Sequence, residues 1–358
     1  MIISRTPYRI SFFGGGTDYP AWYRKNGGAV LATAIDKYCY LTCRYLPPFF
    51  EHRFRLVYSK IEACHTVDEI KHPSAREILK YLNIDRGVEI HHDGDLPARS
   101  GMGSSSSFTV GLLHALHALK GYMPNKWQLA NEGIHIEQER LKENVGSQDQ
   151  VTAAYGGFNQ ISFLENGEIS IRPITVSQER VAELNSHLML FYTGIIRTAS
   201  DIAGTFVQKI GEREQQLRLL HGMVEESIGI LNSDDDITRF GLLLHEAWKA
   251  KRTLSAQITN SDVEEIYSGA RTAGAIGGKL AGAGGGGFML LFVHPANRQK
   301  VIERLNKLIH VPFEFDFSGS QIIFYDAEAD YSAAEQARAS QSLKAFQELT
   351  PVVAKAGS

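Results

Sequence analysis

Residues 100–107 of the chain have the sequence Ser100-Gly101-Met102-Gly103-Ser104-Ser105-Ser106-Ser107. This segment follows a predicted strand at Val88–His92 and opens a predicted helix at Ser104–Lys120. Glycines let a backbone approach an anion closely, and the first N–H groups of a helix are unpaired donors at its positive end. The segment therefore indicates a phosphate-binding loop, although a Gly/Ser turn that merely caps a helix has the same local pattern.

A second glycine-rich segment, residues 279–287, has the sequence Lys279-Leu280-Ala281-Gly282-Ala283-Gly284-Gly285-Gly286-Gly287. Three of its glycines have the spacing of a dinucleotide-binding motif, but such a site needs a helix directly after them. Residues Phe288–Val293 predict a buried strand instead, so we reject an NAD-type site. Four consecutive glycines carry an entropic cost, and we therefore expect a ligand or another loop to approach this backbone closely.

Two acidic residues follow further breaks in the pattern. A predicted strand that carries Arg9 runs into Gly14–Gly16 and ends at Asp18, which on its own is a strand followed by a turn. Asp149 follows a Gly-Ser break and precedes the small, apolar residues Val151–Ala154. We expect Asp149 to be partly buried at the start of a helix, where a carboxylate needs a partner.

The composition excludes several classes of partner. Lys and Arg number 37 against 40 Asp and Glu, so no charge excess points to nucleic acid or an anionic membrane. The N-terminus lacks the features of a signal peptide, and no apolar run approaches the roughly 18 residues of a membrane-spanning helix. Three cysteines, with Cys39 and Cys43 inside a predicted strand rather than at zinc-site spacing, fit a reducing compartment. We expect a soluble, cytoplasmic protein.

The order of predicted elements indicates an α+β fold. We expect one lobe at residues 1–185, a second at 186–326 and a peripheral C-terminal helix or tail at 327–358. The predicted strands are Ile10–Phe13, Val30–Ile35, Tyr38–Tyr45, Val88–His92, Gly157–Leu164, Ile169–Ile174, Leu188–Tyr192, Phe288–Val293 and Gln321–Tyr325. The predicted helices are Ser74–Leu82, Ser104–Lys120, Lys126–Lys142 with Asn125 as N-cap, Ser200–Leu231, Ile237–Gln257, Val263–Ala273 and Pro295–Leu308.

With these residues in hand, the chain resembles the GHMP kinases, the family of galactokinase, homoserine kinase and mevalonate kinase. Pro-x-Arg followed by a glycine turn and Thr17-Asp18-Tyr19 looks like the family's first motif. Pro97–Ser107 looks like the second motif, and residues 279–287 look like the third. Gly146-x-x-Asp149-Gln150 is similar to the segment that carries the catalytic aspartate of galactokinase. The resemblance implies a two-lobed fold with mixed sheets and packed helices, and an active site between the lobes.

The resemblance also implies ATP and Mg²⁺ as cofactors and a role for each matching residue. Asp149 would orient or deprotonate the attacking hydroxyl, and Arg9 would pair with it. Ser105 and Glu137 would hold Mg²⁺. The nucleotide phosphates would be wrapped by Gly101, Met102, Gly103, Ser104, Ser105 and Ser106. The substrate would meet Asp18, Gly15, Gly16, Gly284 and Gly285.

One departure from galactokinase bears on the substrate. Where galactokinase has Gly-Glu-His, this chain has Gly14-Gly15-Gly16, a form that looks more like the bacterial D-glycero-D-manno-heptose 7-phosphate kinases. That likeness implies transfer to the anomeric hydroxyl, to give the 1,7-bisphosphate. The alternatives are another sugar 1-kinase, of the galactose, fucose or mannose type, and a non-catalytic sensor of sugar and ATP. The sensor is disfavoured because both Asp149 and Glu137 are present.

The expected partner is a small-molecule sugar or sugar phosphate, and a homodimer is left open. A phosphorylated acceptor needs a cation at the end of the pocket remote from the transferred phosphoryl group. Arg197 is our first choice, because it lies in a loop that opens a predicted long helix. Lys37 and Arg44 are weaker candidates.

Overall fold

A computed structural model of the chain describes residues 1–47, 49–195, 204, 207, 210–326, 331, 333, 336 and 337. Two β-sheets organise this part of the chain, one of nine strands and one of four. Helices pack on the sheets, so the predicted α+β class is confirmed. None of the described helices combines the length and the hydropathy that a membrane crossing needs.

The larger sheet is built around the N-terminal strand. Strand β1 pairs in antiparallel fashion with β2 on one side and with β13 on the other. Strand β2 also pairs with β5, β6 and β12, while β3 runs parallel to β5. The strands of this sheet are β1 (Ile2–Phe13), β2 (Gly28–Tyr45), β3 (Phe54–Val57), β4 (Ile61–Cys64), β5 (Val88–Gly94), β6 (Phe158–Phe163), β7 (Ile169–Pro173), β12 (Phe315–Asp316) and β13 (Gln321–Tyr325).

The smaller sheet is antiparallel, in the order β11-β8-β10-β9. Its strands are β8 (Leu188–Tyr192), β9 (Ala275–Leu280), β10 (Phe288–Val293) and β11 (Ile309–Val311). The described α-helices are α1 (Pro20–Asn26), α2 (Pro73–Tyr81), α3 (Ser104–Leu119), α4 (Lys126–Ile134), α5 (Gln148–Tyr155), α6 (Gln178–His187), α7 (Glu214–Asn232), α8 (Thr238–Arg252), α9 (Ser261–Thr272) and α10 (Arg298–Arg304).

Two packing contacts bring these elements together at one place. Helix α3 is apolar and packs against β1 and β2. Helix α8 packs against β9, where glycines face each other: a Cβ on Gly277 would lie 1.9 Å from the carbonyl oxygen of Gly241. Only glycine permits this approach. The first turn of α8 is thereby held against the smaller sheet, and at the other end of the helix Lys251 donates to the carbonyl oxygens of Leu280 and Gly282.

The sequence predicted most elements of the larger sheet and its helices. Asn125 caps α4 by accepting a hydrogen bond from the backbone N–H of Gln128, over 2.8 Å, as predicted. The Asn166-Gly167 turn joins the paired strands β6 and β7, as its sequence signal indicated. The helix predicted to reach Lys142 instead ends its α-helical part at Ile134, and a π-helical turn, His135–Arg140, follows. Such turns are frequent at functional sites.

Other elements were missed or lie outside the described residues. The sequence did not predict β9, because Gly277 and Gly278 are poor strand formers, nor did it predict the hairpin β3–β4. The helix predicted over Ser200–Leu231 is described only in its later part, as α7. Strands β12 and β13 come from residues assigned to the second lobe and pair with the larger sheet. The lobe boundary at residue 185 stays a prediction, as does the terminal segment 327–358.

Candidate active site

A cavity of about 420 Å³ lies where the two sheets meet. Its wall combines residues of β1, the segment 98–106, the residues before and within the first turn of α5, and the C-terminal end of α8. Strand β9 and the loop after it close the remaining side, through Lys279 and Gly282. A volume of this size is typical of a small-molecule site.

The predicted phosphate loop forms one wall of this cavity. Gly101 and Gly103 have left-handed backbone conformations, with φ of 81° and 75°, and Gly103 is the N-cap of the sixteen-residue helix α3. The loop leans on the third motif, since a Cβ on Gly101 would lie 2.6 Å from the carbonyl oxygen of Ala281. The close approach predicted for residues 279–287 is therefore made by another loop. Ser104, Ser105 and Ser106 line the cavity.

Met102 occupies a different position from the rest of its loop. Its side chain is fully buried in the hydrophobic core and is not part of the cavity wall. Its carbonyl oxygen accepts a hydrogen bond from the backbone N–H of Arg9, over 3.1 Å. Met102 therefore anchors the loop to β1, whereas the sequence predicted contact with the nucleotide.

Arg9 and Asp149 form a bidentate ion pair in the wall of the cavity. The Arg9 Nε donates to Oδ1 of Asp149 and Nη2 donates to Oδ2, each over 2.7 Å, while Nη1 donates to the carbonyl oxygen of Gly101 over 2.8 Å. The Arg9 side chain is 6% exposed and that of Asp149 is 24% exposed. The register of β1 shifts between Pro7 and Tyr8, at the residue that lacks an N–H for the ladder. This bulge directly precedes Arg9.

Glu137 lies beneath the phosphate loop and is fully buried. Its carboxylate accepts hydrogen bonds from Ser105 (3.2 Å), Ser106 (2.8 Å), Thr109 (3.0 Å) and the amide of Gln150. Burial raises the pKa of Glu137 to about 7, the hydrogen bond from Ser106 opposes the rise, and the nearby Glu143 adds to it. The sequence predicted Ser105 and Glu137 as a pair, and the structure brings them within hydrogen-bond distance.

Asp18 lies deeper in the same cavity. It is buried, and its carboxylate accepts hydrogen bonds from the backbone N–H of Gly16 (3.0 Å) and the side-chain amide of Gln148 (2.8 Å). Burial raises the pKa of Asp18, and the negative charge of Asp149 raises it further. Gly146 packs directly on Asp18: a Cβ there would lie 1.8 Å from the carboxylate and would displace it. Gly15 and Gly16 line the cavity, as predicted.

Several predicted substrate residues lie elsewhere. Gly284 and Gly285 are not in the cavity wall; they pack against Ile258, whose carbonyl oxygen accepts the N–H of Gly285 over 2.8 Å. Lys37 pairs with Asp36 and Arg44 with Glu89, and neither side chain lines the cavity. Both cations are therefore paired with carboxylates outside the cavity. Arg197 lies outside the described residues.

The cavity wall also contains polar residues that the sequence did not predict, and Gln148, Lys251 and Lys279 are three of them. Gln148 binds Asp18, and its Oε1 is a buried acceptor without a hydrogen-bond partner in the described part of the chain. Lys279 and Lys251 place ammonium groups in the wall. Lys251 belongs to a basic last turn of α8, together with Lys249 and Arg252. Such a turn is typical of any helix, so the sequence held no signal that singled out Lys251.

Comparison with known proteins identifies the family. The model for the N-terminal domain of the GHMP kinases matches residues 69–157, a range that contains the phosphate loop, Glu137 and Asp149. The model for their C-terminal domain matches residues 229–310, which contain α8 and the third motif. The chain is 29% identical over 328 residues to D-glycero-alpha-D-manno-heptose 7-phosphate kinase of Campylobacter jejuni, covering 88% of this chain and 96% of that protein.

Two solved structures of kinases superpose on most of this chain. A protein described as a putative sugar kinase from Campylobacter jejuni superposes with a TM-score of 0.68 at 26% identity, over 90% of this chain and 98% of that one. A D-glycero-D-manno-heptose 1-phosphate kinase from Bacteroides thetaiotaomicron gives a TM-score of 0.73 at 23% identity, over 91% and 100%, which shows the fold alone. With both domain models matched in order across the cavity, the chain carries the N-terminal and C-terminal domains of the GHMP kinases, phosphotransferases that act on an alcohol group.

Proposed function

We propose that this protein is a Mg²⁺- and ATP-dependent sugar kinase that phosphorylates the anomeric hydroxyl of D-glycero-D-manno-heptose 7-phosphate, to give the 1,7-bisphosphate. The observation that carries the proposal is the Arg9–Asp149 ion pair beside the N-terminus of α3, in a cavity of small-molecule size. The similarity to the heptose 7-phosphate kinase of Campylobacter jejuni supports the choice of substrate.

The phosphate loop supplies the electrostatic part of the reaction. Phosphoryl transfer needs little covalent work from the protein, but it needs in-line positioning and donors for the charge on the γ-phosphate. Ser104 and Ser105, at the start of α3 where the backbone N–H groups lack helical partners, line the cavity. Gly101 and Gly103 leave room for the phosphates to approach the backbone.

The oxygen donors under the loop fit a magnesium ion. Ser105 Oγ and the carboxylate of Glu137 are 3.2 Å apart and are hard oxygen ligands of the kind Mg²⁺ prefers. Bound there with ATP, Mg²⁺ would neutralise part of the charge on the phosphate oxygens. Glu137 must be ionised to serve as a ligand, and its raised pKa of about 7 allows this at neutral pH.

Asp149 acts on the acceptor. The acceptor oxygen attacks the γ-phosphorus; the new O–P bond forms as the bond from phosphorus to the bridging oxygen of ADP breaks. Asp149 orients the hydroxyl and receives its proton, while Arg9 fixes both carboxylate oxygens and compensates their charge. An anomeric hydroxyl is more acidic than an ordinary alcohol, which suits a carboxylate as base.

Asp18 and Gln148 are placed to bind sugar hydroxyls. Asp18 holds its orientation through Gly16 and Gln148, and the free Oε1 of Gln148 is an acceptor for a hydroxyl donor. Gly15 and Gly16 carry no side chain into this part of the cavity, which makes space for a seven-carbon sugar. The three cysteines are all free and buried, which fits the reducing cytoplasm as the compartment of the enzyme.

The experiment is an acceptor screen with coupled detection of ADP. The panel contains D-glycero-D-manno-heptose 7-phosphate, the same heptose without phosphate, mannose, galactose, fucose and mevalonate. We expect the highest kcat/KM with the heptose 7-phosphate, and ³¹P–¹H coupling in the product should place the new phosphate on the anomeric carbon. A preference for another sugar would overturn the heptose proposal. Absence of turnover with every acceptor would overturn the sugar-kinase proposal.

A further inference from the structure

Two lysines in the cavity wall, the half-buried Lys251 and the buried Lys279, donate hydrogen bonds only to neutral groups. Lys251, in the last turn of α8, donates through Nζ to the carbonyl oxygens of Leu280 (3.3 Å) and Gly282. Lys279, in β9, donates to the carbonyl oxygens of Ser11 (2.8 Å) and Phe12 (2.9 Å). Among the described residues, neither ammonium group has an ion pair with a carboxylate. A buried charge without an opposite charge is costly.

The surrounding charges increase this cost. Burial lowers the pKa of Lys251 to about 8, and the positive charge of Arg9 lowers it further. Burial also lowers the pKa of Lys279, with Lys251 and Arg9 contributing. Asp18 is the carboxylate that acts in the opposite direction on both lysines. Arg9 is already matched by Asp149, so the two lysines leave local positive charge in the cavity.

The position of the lysines relates this charge to the reaction. Gly282, whose carbonyl oxygen binds Lys251, packs directly on the phosphate loop: its Cβ would lie 2.6 Å from the Cα of Gly101. Lys251 lines the same cavity as Arg9 and Asp18, and both of these charges act on its ammonium group. The ammonium group of Lys251 is therefore held next to the phosphate loop, through Gly282, in a wall that also contains Asp18.

We propose that Lys251 and Lys279 form a phosphoryl-anion site in this cavity, separate from the backbone donors of the phosphate loop. The inference rests on the proposed function, which supplies two anions of suitable chemistry: the phosphate already carried by the acceptor, and the phosphoryl group in transfer. Lys251 is the residue that contacts the anion. Lys279 supports it by holding β1 against β9 and by adding its positive charge.

The test compares Lys251→Met, which keeps the length of the side chain and removes the charge, with Lys251→Arg, which keeps the charge. Lys249→Met is the matched control, because Lys249 lies in the same helical turn, is half-exposed and pairs with Glu246. The wild type and the variants are assayed with heptose 7-phosphate and with heptose. In parallel, thermal unfolding of the ADP-bound protein is compared in sulfate and in chloride at equal ionic strength.

Two kinetic outcomes support the site and identify its anion. If the anion is the acceptor's phosphate, Lys251→Met raises KM for heptose 7-phosphate by about tenfold or more and leaves KM for heptose unchanged. If the anion is the phosphoryl group in transfer, Lys251→Met lowers kcat with both acceptors by about tenfold or more. In both cases Lys251→Arg retains more activity than Lys251→Met, and Lys249→Met behaves as wild type.

The sulfate measurement is independent of turnover. We expect sulfate to raise the unfolding temperature of the wild type, and we expect this increase to be lost in Lys251→Met. The inference is overturned if Lys251→Met keeps the sulfate response, or if its kinetic constants with both acceptors stay within about twofold of wild type. If Lys251→Met does not fold, Lys251→Gln takes its place. A wild type that responds to sulfate but phosphorylates no sugar would refute the proposed function and leave the anion site standing.

Discussion

Arg9 binds Asp149 through two parallel hydrogen bonds: Nε donates to Oδ1 and Nη2 donates to Oδ2, each over 2.7 Å. Both partners come from distant parts of the sequence, and the same guanidinium also binds the carbonyl oxygen of Gly101. One side chain therefore fixes the carboxylate relative to the phosphate loop. The partial exposure of Asp149 leaves it open to the cavity.

Asp149→Asn should lower kcat by about 100-fold or more, because the amide cannot accept the hydroxyl proton and cannot satisfy both guanidinium donors. ATP affinity, measured by calorimetry, should stay close to that of wild type. Asp262→Asn, in the first turn of α9, is the control for losing a carboxylate at a helix start. If Asp149→Asn keeps more than about a tenth of the wild-type kcat, the proposed role of Asp149 is wrong.

Ser105→Ala and Glu137→Gln should both raise the Mg²⁺ concentration needed for half-maximal activity, since each removes one oxygen ligand. Glu139→Gln lies in the same π-helical turn, and its exposed carboxylate pairs with His135. It should titrate as wild type. Mg²⁺ titrations at saturating ATP test the prediction. Curves that coincide with wild type for both variants would rule out this metal site.

The buried Glu137 should make stability depend on pH. Its pKa is about 7 in the folded protein and 4.5 in a model peptide, so the folded state binds this proton more tightly. Ionising Glu137 therefore destabilises the metal-free fold above pH 7, and this effect vanishes below about pH 4.5. Relative to wild type, Glu137→Gln should gain up to about 3 kcal/mol in the free energy of unfolding between pH 5 and pH 8.

Urea unfolding of the Mg²⁺-free wild type and the Glu137→Gln variant at the two pH values measures this difference. The amide also loses part of the hydrogen bonding from Ser106 and Gln150, but that loss is the same at both pH values. A difference between variant and wild type that does not change with pH would show that Glu137 titrates normally.

Gly103→Val should weaken ATP binding and lower activity. Its Cβ would lie 3.1 Å from Cγ of Arg9 and 3.6 Å from Oδ2 of Asp149, so the side chain would enter the space beside the ion pair. Gly121→Val is the matched control: Gly121 has a similar φ, 73°, and a Cβ there meets no atom within 4 Å. Both variants carry backbone strain. If calorimetry shows that both variants lose ATP affinity equally, backbone strain is the cause, and the prediction that a side chain at Gly103 blocks the phosphate loop is wrong.

Lys251 should make anion binding sensitive to alkaline pH. Burial and the positive charge of Arg9 lower the pKa of Lys251 to about 8, while Asp18 acts in the opposite direction. Lys279 is a further cation close by. The ammonium form of Lys251 is therefore lost as the pH rises through 8. The stabilisation of the ADP-bound protein by sulfate, which does not titrate in this range, should decline between pH 7 and pH 9. Lys251→Arg should retain it, because arginine stays charged. Equal declines in both proteins would contradict the assignment.

The sequence predicted those features of the fold that depend on a few neighbouring residues. The phosphate loop, the Asn125 cap and the Asn166-Gly167 hairpin are each specified by a few neighbouring residues, and the structure contains all three turns. The roles of Arg9, Asp149 and Glu137 were inferred by resemblance. The structure supplies the contacts that make those roles testable, because the partners of Glu137 come from α3 and α5.

The sequence could not predict what depends on tertiary approach. Strand β9 contains Gly277 and Gly278, which disfavour a strand in the sequence. In the structure, Gly241 of α8 approaches Gly277 and Leu290 of β10 approaches Gly278, so both positions need glycine. Lys251 looked like an ordinary charge at a helix end, and only the docking of α8 on β9 turns it into the cavity. Met102, the apolar member of a polar loop, is buried because the loop packs its one apolar side chain into the core.

The pairing of β13 with β1 has a consequence for synthesis of the protein. Strand β1 carries Arg9, yet one of its two neighbours consists of residues 321–325, which are made more than three hundred residues later. A nascent chain on the ribosome therefore exposes this edge of the strand that carries Arg9 until residues 321–325 have been made. Chains that stop early lack this neighbour and keep an open edge that can pair with other chains. The larger sheet can thus be completed only after the residues of β13 have been translated.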